Sequence, residues 1–178
     1  MRYIVVIILV LVVLALAGVV VIYSGVINVA ASRPESGLMT WVLSRTMENS
    51  VEHHAKTVLT PPLDDATKIK NGFALFDRNC AGCHGAPGRE RGGRGFNPEP
   101  PSLVAVLGDW TPAELFWITK HGIKMSGMPA FGHNRSDEEL WDIVAFMRTL
   151  PHVTPELYAK MRDSTRVVQA ADTTHRLR

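Results

Sequence analysis

The sequence predicts an all-α protein in which a single transmembrane helix is followed by a small helical domain. Three observations lead there. An uncharged run from Tyr3 to Ile27 is built almost entirely of Val, Ile, Leu, Ala and Gly. Downstream, apolar residues recur at three- and four-residue spacing behind recognisable capping residues, as on a helix with one buried face. No stretch alternates apolar and polar residues as a half-buried strand does.

The 25 residues of the apolar run would make a helix of roughly 37 Å, against a hydrocarbon core of roughly 30 Å. Val29-Ala30-Ala31 resembles a small-residue cleavage site, but signal-peptide apolar regions run only about 7–15 residues. The reading adopted is an uncleaved signal anchor over 1–31. Charge hardly orients it, because Arg2 precedes the span while Arg33 and Glu35 follow it. A formal charge of +2 on 178 residues, with no long basic run, argues against a nucleic-acid partner.

Arg33 to Gly37 breaks the chain. Leu38 to about Ala55 reads as a juxtamembrane helix with Leu38, Trp41, Val42, Val51 and Ala55 near one face, its stripe interrupted by Arg45 and Glu48. Pro61-Pro62 closes this connecting segment, 32–63. The next domain, 64–162, opens with Asp64 or Asp65 as cap of a helix whose Ile69, Phe73 and Phe76 share a face. Gly72, in the middle of that helix, costs up to about 1 kcal/mol against Ala, so close approach of another helix is its expected reason. Gly85 to Pro101 reads as an irregular loop, in which Arg89, Arg91 and Arg94 are read as facing solvent rather than pairing with an anionic group. Thr111-Pro112-Ala113-Glu114 and Ser136-Asp137-Glu138-Glu139 are capping boxes; the first helix ends at Gly122 and the second stops before Pro151. A short helix is expected from Thr154 to Met161, then a polar, mobile tail over 163–178.

The chemistry sits in Cys80-Ala81-Gly82-Cys83-His84. C-x-x-C-H is the pattern for covalent attachment of c-type haem. Two thiols on one turn reach the vinyl groups of a porphyrin, and the following histidine binds iron from the proximal side. Cys80 and Cys83 are the chain's two cysteines. A structural zinc site normally takes four N/S ligands, a thioredoxin-like site a βαβ setting, and a disulfide closing so small a loop stabilises little. His53-His54 reads as a solvated helix end rather than a second metal site.

From Asp65 to about Leu150 the chain resembles a class I cytochrome c. The resemblance rests on Cys80-Ala81-Gly82-Cys83-His84 after a helix, on Pro101-Ser102-Leu103, on Gly127-Met128-Pro129, and on the closing helix Leu140-Trp141-Asp142-Ile143-Val144-Ala145-Phe146. It implies a class I cytochrome c fold around one covalently bound haem c, with His84 and Met128 as the axial iron ligands. It also implies that the Pro101 carbonyl accepts a hydrogen bond from the proximal imidazole, and that Gly72 and Phe76 face Ile143 and Phe146 where the first and last helices cross. Met125 competes with Met128 as ligand. Pro129 forces Met128 into an extended conformation and Gly127 lets the chain pass close to a flat ring, whereas Met125 has no such restraint.

The implied function is single-electron transfer between respiratory or dehydrogenase partners by a carrier that is not an enzyme. The haem domain is expected on the periplasmic side of a bacterial cytoplasmic membrane, tethered by the single span. Lys120, His121 and Lys124, flanking the distal loop, are a candidate docking face for an acidic partner. The alternative is a haem protein with an exchangeable distal ligand, a gas sensor or peroxidase, suggested by His53, His54, His121 and His133. The long Arg89–Gly95 loop, the segment Ser32–Leu63 and the tail depart from the family pattern.

Overall fold

The computed structural model describes residues 1–33 and 35–176. Pro34, within the predicted break, and residues 177–178 of the predicted tail lie outside the described residues. The chain divides into two units, 1–33 and 34–178. The first is a single helix, α1 (Arg2–Ser24), ended by Gly25 in the left-handed region at φ 67°. It is the one helix among the described residues long and apolar enough to cross a membrane, and none of its residues is buried.

The second unit holds α2 (Gly37–Ala55), α3 (Ala66–Asn79), α4 (Ala81–His84), α5 (Leu103–Val106), α6 (Pro112–His121), α7 (Asp137–Thr149) and α8 (Pro155–Arg176), with short 3₁₀ turns after α5, before α7 and after it. No strand occurs among the described residues; Ala86 and Arg89 form an isolated bridge. The predicted caps are in place. Asp65, not Asp64, accepts the Thr67 and Lys68 amides at 2.6 and 3.3 Å, and these bonds hold its carboxyl below the usual range. Thr111–Glu114 and Ser136–Glu139 close both reciprocal capping boxes.

The core lies where α3 crosses α7. Phe73, Phe76 and Phe146 are buried and meet at ring separations of 5.2–5.3 Å. Each such ring contributes roughly 1.5–3 kcal/mol through burial. Gly72 lies directly against the backbone of Asp142 and Ile143, which accounts for a glycine in mid-helix. α6 joins α7 through Phe116 stacked on Trp141 at 4.2 Å, and α8 joins α3 through buried Tyr158 beside Phe73 at 5.2 Å.

Two expectations change. The helix from Pro155 continues to Arg176 rather than stopping at Met161, because helical backbone bonding needs no apolar stripe to persist. In α2, Val51 and Ala55 are buried, the helix packing on α6, whereas Leu38, Trp41 and Val42 are exposed. At 100° per residue the two sets lie on different sides of the helix rather than on one face.

Candidate metal centre

The chain delivers Cys80, Cys83 and His84 on one turn. α3 ends as the Cys80 amide donates to the Phe76 carbonyl at 2.8 Å, and α4 starts immediately, with the Cys83 and His84 amides donating to the Cys80 carbonyl at 3.2 and 3.0 Å. Cys80 points into the core and Cys83 is exposed, so the two thiols differ in environment. Burial pushes the Cys80 thiol up to about 12, and the neighbouring Cys83 adds to the shift. A thiol so reluctant to ionise is a poor nucleophile for thiol–disulfide exchange. No group of three or more His, Cys, Asp or Glu positioned for a metal occurs among the described residues, which leaves a zinc site without its ligand set.

His84 is half-buried, and its Nδ1 donates to the Pro101 carbonyl at 2.9 Å. That contact fixes the tautomer and leaves Nε2 with the available electron pair. The long loop between these residues is folded back on α4. Gly92 donates its amide to the Gly82 carbonyl at 2.9 Å, and Arg91 donates to the Pro100 carbonyl at 2.9 Å, one residue before the histidine's acceptor. The Arg89 guanidinium reaches Asp77 at 3.2 Å, and Asp77 also accepts from the Tyr158 hydroxyl at 2.8 Å. Arg94 meets Glu90 at 3.3 Å across an exposed surface. Each of the three arginines therefore has a protein partner, a role that loop composition did not reveal.

Met128 comes from a different loop, closed on itself. The Ile123 amide donates to the Met128 carbonyl at 3.3 Å, the Ser126 amide to the Ile123 carbonyl at 3.2 Å, and the Met128 amide to Ser126 Oγ at 3.2 Å. Gly122 permits the closure: it sits at φ 65°, and a side chain there would strike the Met128 carbonyl at 2.7 Å. The Phe96 ring from the arginine-rich loop lies over Gly127, where an added Cβ would come within 2.6 Å of it. Phe96 was not anticipated; an aromatic in a Gly/Arg loop was the available signal. Met128 is half-buried, whereas Met125 is 93% exposed at φ 60°. Met125 thus carries a backbone restraint of its own, but one that points its side chain into solvent.

The chemistry of these donors fits a c-type haem: two sulfurs on one turn, an imidazole whose Nδ1 is held by a carbonyl so that Nε2 is available, and a thioether on a separate loop. Residues 67–147 match the family described as cytochrome c oxidase, cbb3-type, subunit III. That segment is a c-type cytochrome domain. The cytochrome domain is an electron-transfer haem module, and its family implies haem c as cofactor. No curated protein and no solved structure matches the chain significantly.

The remaining histidines are partly engaged elsewhere. The His54 ring stacks on Trp117 at 5.6 Å, with His53 edge-on to it at 5.2 Å and His121 5.0 Å from Trp117. Burial, then Lys120, hold the His121 imidazole below its ordinary value. Lys120, one of the three residues expected on the docking face, pairs with Asp137 at 2.7 Å and lies over the Phe116 ring.

Proposed function

We propose that this protein is a membrane-tethered mono-haem cytochrome that passes single electrons between redox proteins on the periplasmic side of a bacterial cytoplasmic membrane. Cys80 and Cys83 would hold one haem through thioethers, and His84 and Met128 are the residues that would ligate its iron. The observation that carries this reading is the His84 Nδ1 to Pro101 carbonyl bond at 2.9 Å, which prepares Nε2 for a metal. Bound there, haem supplies a one-electron iron couple whose potential methionine ligation raises.

The chain's own residues do the rest. Pro101 orients the imidazole, Arg91 braces the carbonyl beside it, and the closed loop from Ile123 presents Met128. α1 keeps the domain at the membrane and so at high local concentration near its partners. The cbb3-type subunit description supports a respiratory chain as the setting. The domain acts as carrier or resident subunit rather than as an enzyme.

The full chain, extracted from membranes, should retain its haem after denaturation, and the retained haem should be lost when Cys80 and Cys83 are replaced by Ser. Met128→Ala should lose the methionine-to-ferric-iron charge-transfer band, lower the potential and admit carbon monoxide or cyanide. Ready binding of those ligands by the parent protein would instead favour the sensor or peroxidase reading.

A further inference from the structure

The first turns of α2 are the least explained surface of the second unit. Leu38, Met39, Trp41, Val42 and Leu43 are each 41–73% exposed, and every residue from Gly37 to Leu43 is exposed. No charged residue occurs from Gly37 to Ser44. The character of the helix then changes along its axis rather than around it. Arg45 pairs with Glu48 at 2.8 Å, Glu52 lies 3.7 Å from Lys56, and Val51 and Ala55 are buried, the helix packing on α6.

A helix lying flat on a membrane needs an apolar stripe along its whole length. α2 has no such stripe. Its apolar side chains surround one end, and its other end is fixed to protein. The six residues Leu38–Leu43 rise about 9 Å, close to the roughly 5–10 Å depth to which helices seat in the headgroup boundary. Trp41 is of the type that favours this boundary. The chain also supplies the surface: only residues 25–36 separate α1 from α2, a reach of at most about 40 Å.

We propose that the N-terminal turns of α2 insert obliquely, end first, into the headgroup region of the lipid bilayer. This rests on the reading of α1 as a membrane span. α2 is then a strut, with lipid around Leu38–Leu43 and α6 against Val51 and Ala55, and it fixes the distance and orientation of the cytochrome domain relative to the membrane. Lipid is the occupant the observations favour. Trp41 and the uncharged run suit the headgroup boundary, and chain connectivity keeps this cap near the surface that α1 enters.

The test uses the haem-loaded full chain in vesicles of phosphatidylethanolamine and phosphatidylglycerol, with thioether formation leaving a newly introduced cysteine as the thiol for a spin label. Leu38→Cys, Leu43→Cys, Asn49→Cys and Val13→Cys are labelled one at a time. Each label is then compared for relaxation by oxygen, which concentrates in lipid, and by a water-soluble nickel chelate. The expected oxygen-to-nickel ratio is several-fold higher at positions 38 and 43 than at 49, and highest at 13. A water-like ratio at both 38 and 43 with a lipid-like ratio at 13 overturns the strut and leaves the span standing. Shielding from both reagents at 38 and 43 overturns it in favour of a protein partner or a second copy. A water-like ratio at 13 overturns the span and the strut together.

Discussion

Gly72 lies so close to Asp142 that a Cβ on the glycine would occupy the space of the Asp142 carbonyl. The neighbour is backbone and cannot swing aside. Overpacking of this kind costs typically about 1–3 kcal/mol, whereas helix propensity alone would make Gly72→Ala stabilising by up to about 1 kcal/mol. Gly72→Ala should therefore lower the melting temperature, and Gly72→Val should lower it further. An unchanged or raised midpoint would contradict the close crossing.

Asp142 itself is buried, and its Oδ1 has no hydrogen-bond partner. Burial raises its carboxyl above the ordinary value, against a lowering contribution from the Asn71 side chain. A raised acid favours the fold while protonated, so this contribution is present below the ordinary carboxylate value and lost as pH rises through the folded one. Asp142→Asn should stabilise the domain at neutral pH by about 1 kcal/mol. Thermal melts across pH should show that gain shrinking on acidification.

Met125 stands at φ 60° with its side chain in solvent. The left-handed region costs an ordinary residue roughly 1–2 kcal/mol, and glycine is spared it at some cost in chain entropy. Met125→Gly should raise stability by up to about 1 kcal/mol and leave the methionine charge-transfer band intact. Loss of that band in Met125→Gly, with its survival in Met128→Ala, would reassign the ligand.

The Tyr158 hydroxyl donates to Asp77, which Arg89 also approaches. Burial, and then Asp77, push the phenol well above its usual range. Its contribution is thus complete below the ordinary phenol value of about 10 and is lost as pH rises beyond it. Tyr158→Phe should cost about 1–2 kcal/mol at neutral pH. Denaturant titrations above pH 10 should show a shallower alkaline decline for the variant than for the parent.

Lys120 is tied to Asp137, so a Lys120→Glu change would set two carboxylates face to face and disturb the α6–α7 region. Exposed Lys124 is the cleaner probe of the distal face. Lys124→Glu should slow oxidation by ferricyanide at low ionic strength, with the difference vanishing in high salt. Equal low-salt rates would place the electron-transfer face elsewhere.

What could be read in the sequence was local. Asp65, Thr111 and Ser136 lie within three residues of the amides they satisfy, so their helices began where expected. Cys80, Cys83 and His84 are one turn, and Gly72 announced a close crossing by its cost. The rest depends on partners distant in sequence. Tyr158 meets Asp77 across 81 positions, and Phe96 covers Gly127 from another loop; no spacing encodes either contact. α5, at four residues, is too short to show a period. The extension of α8 past Asp163 lacks the apolar repeat that pattern reading requires.

The contrast between buried Cys80 and exposed Cys83 sets an order of events for maturation. On the proposed attachment, the Cys80 sulfur must be alkylated before the core around it is complete, since a finished fold would shield it from any enzyme. α7, which completes that core, follows Cys80 in the chain and so emerges later during synthesis. A chain ending before Asp137 should therefore still acquire both thioethers. The interval between export of the motif and arrival of α7 becomes a window for cofactor loading, and a variant that folds too early would leave the membrane populated with colourless protein.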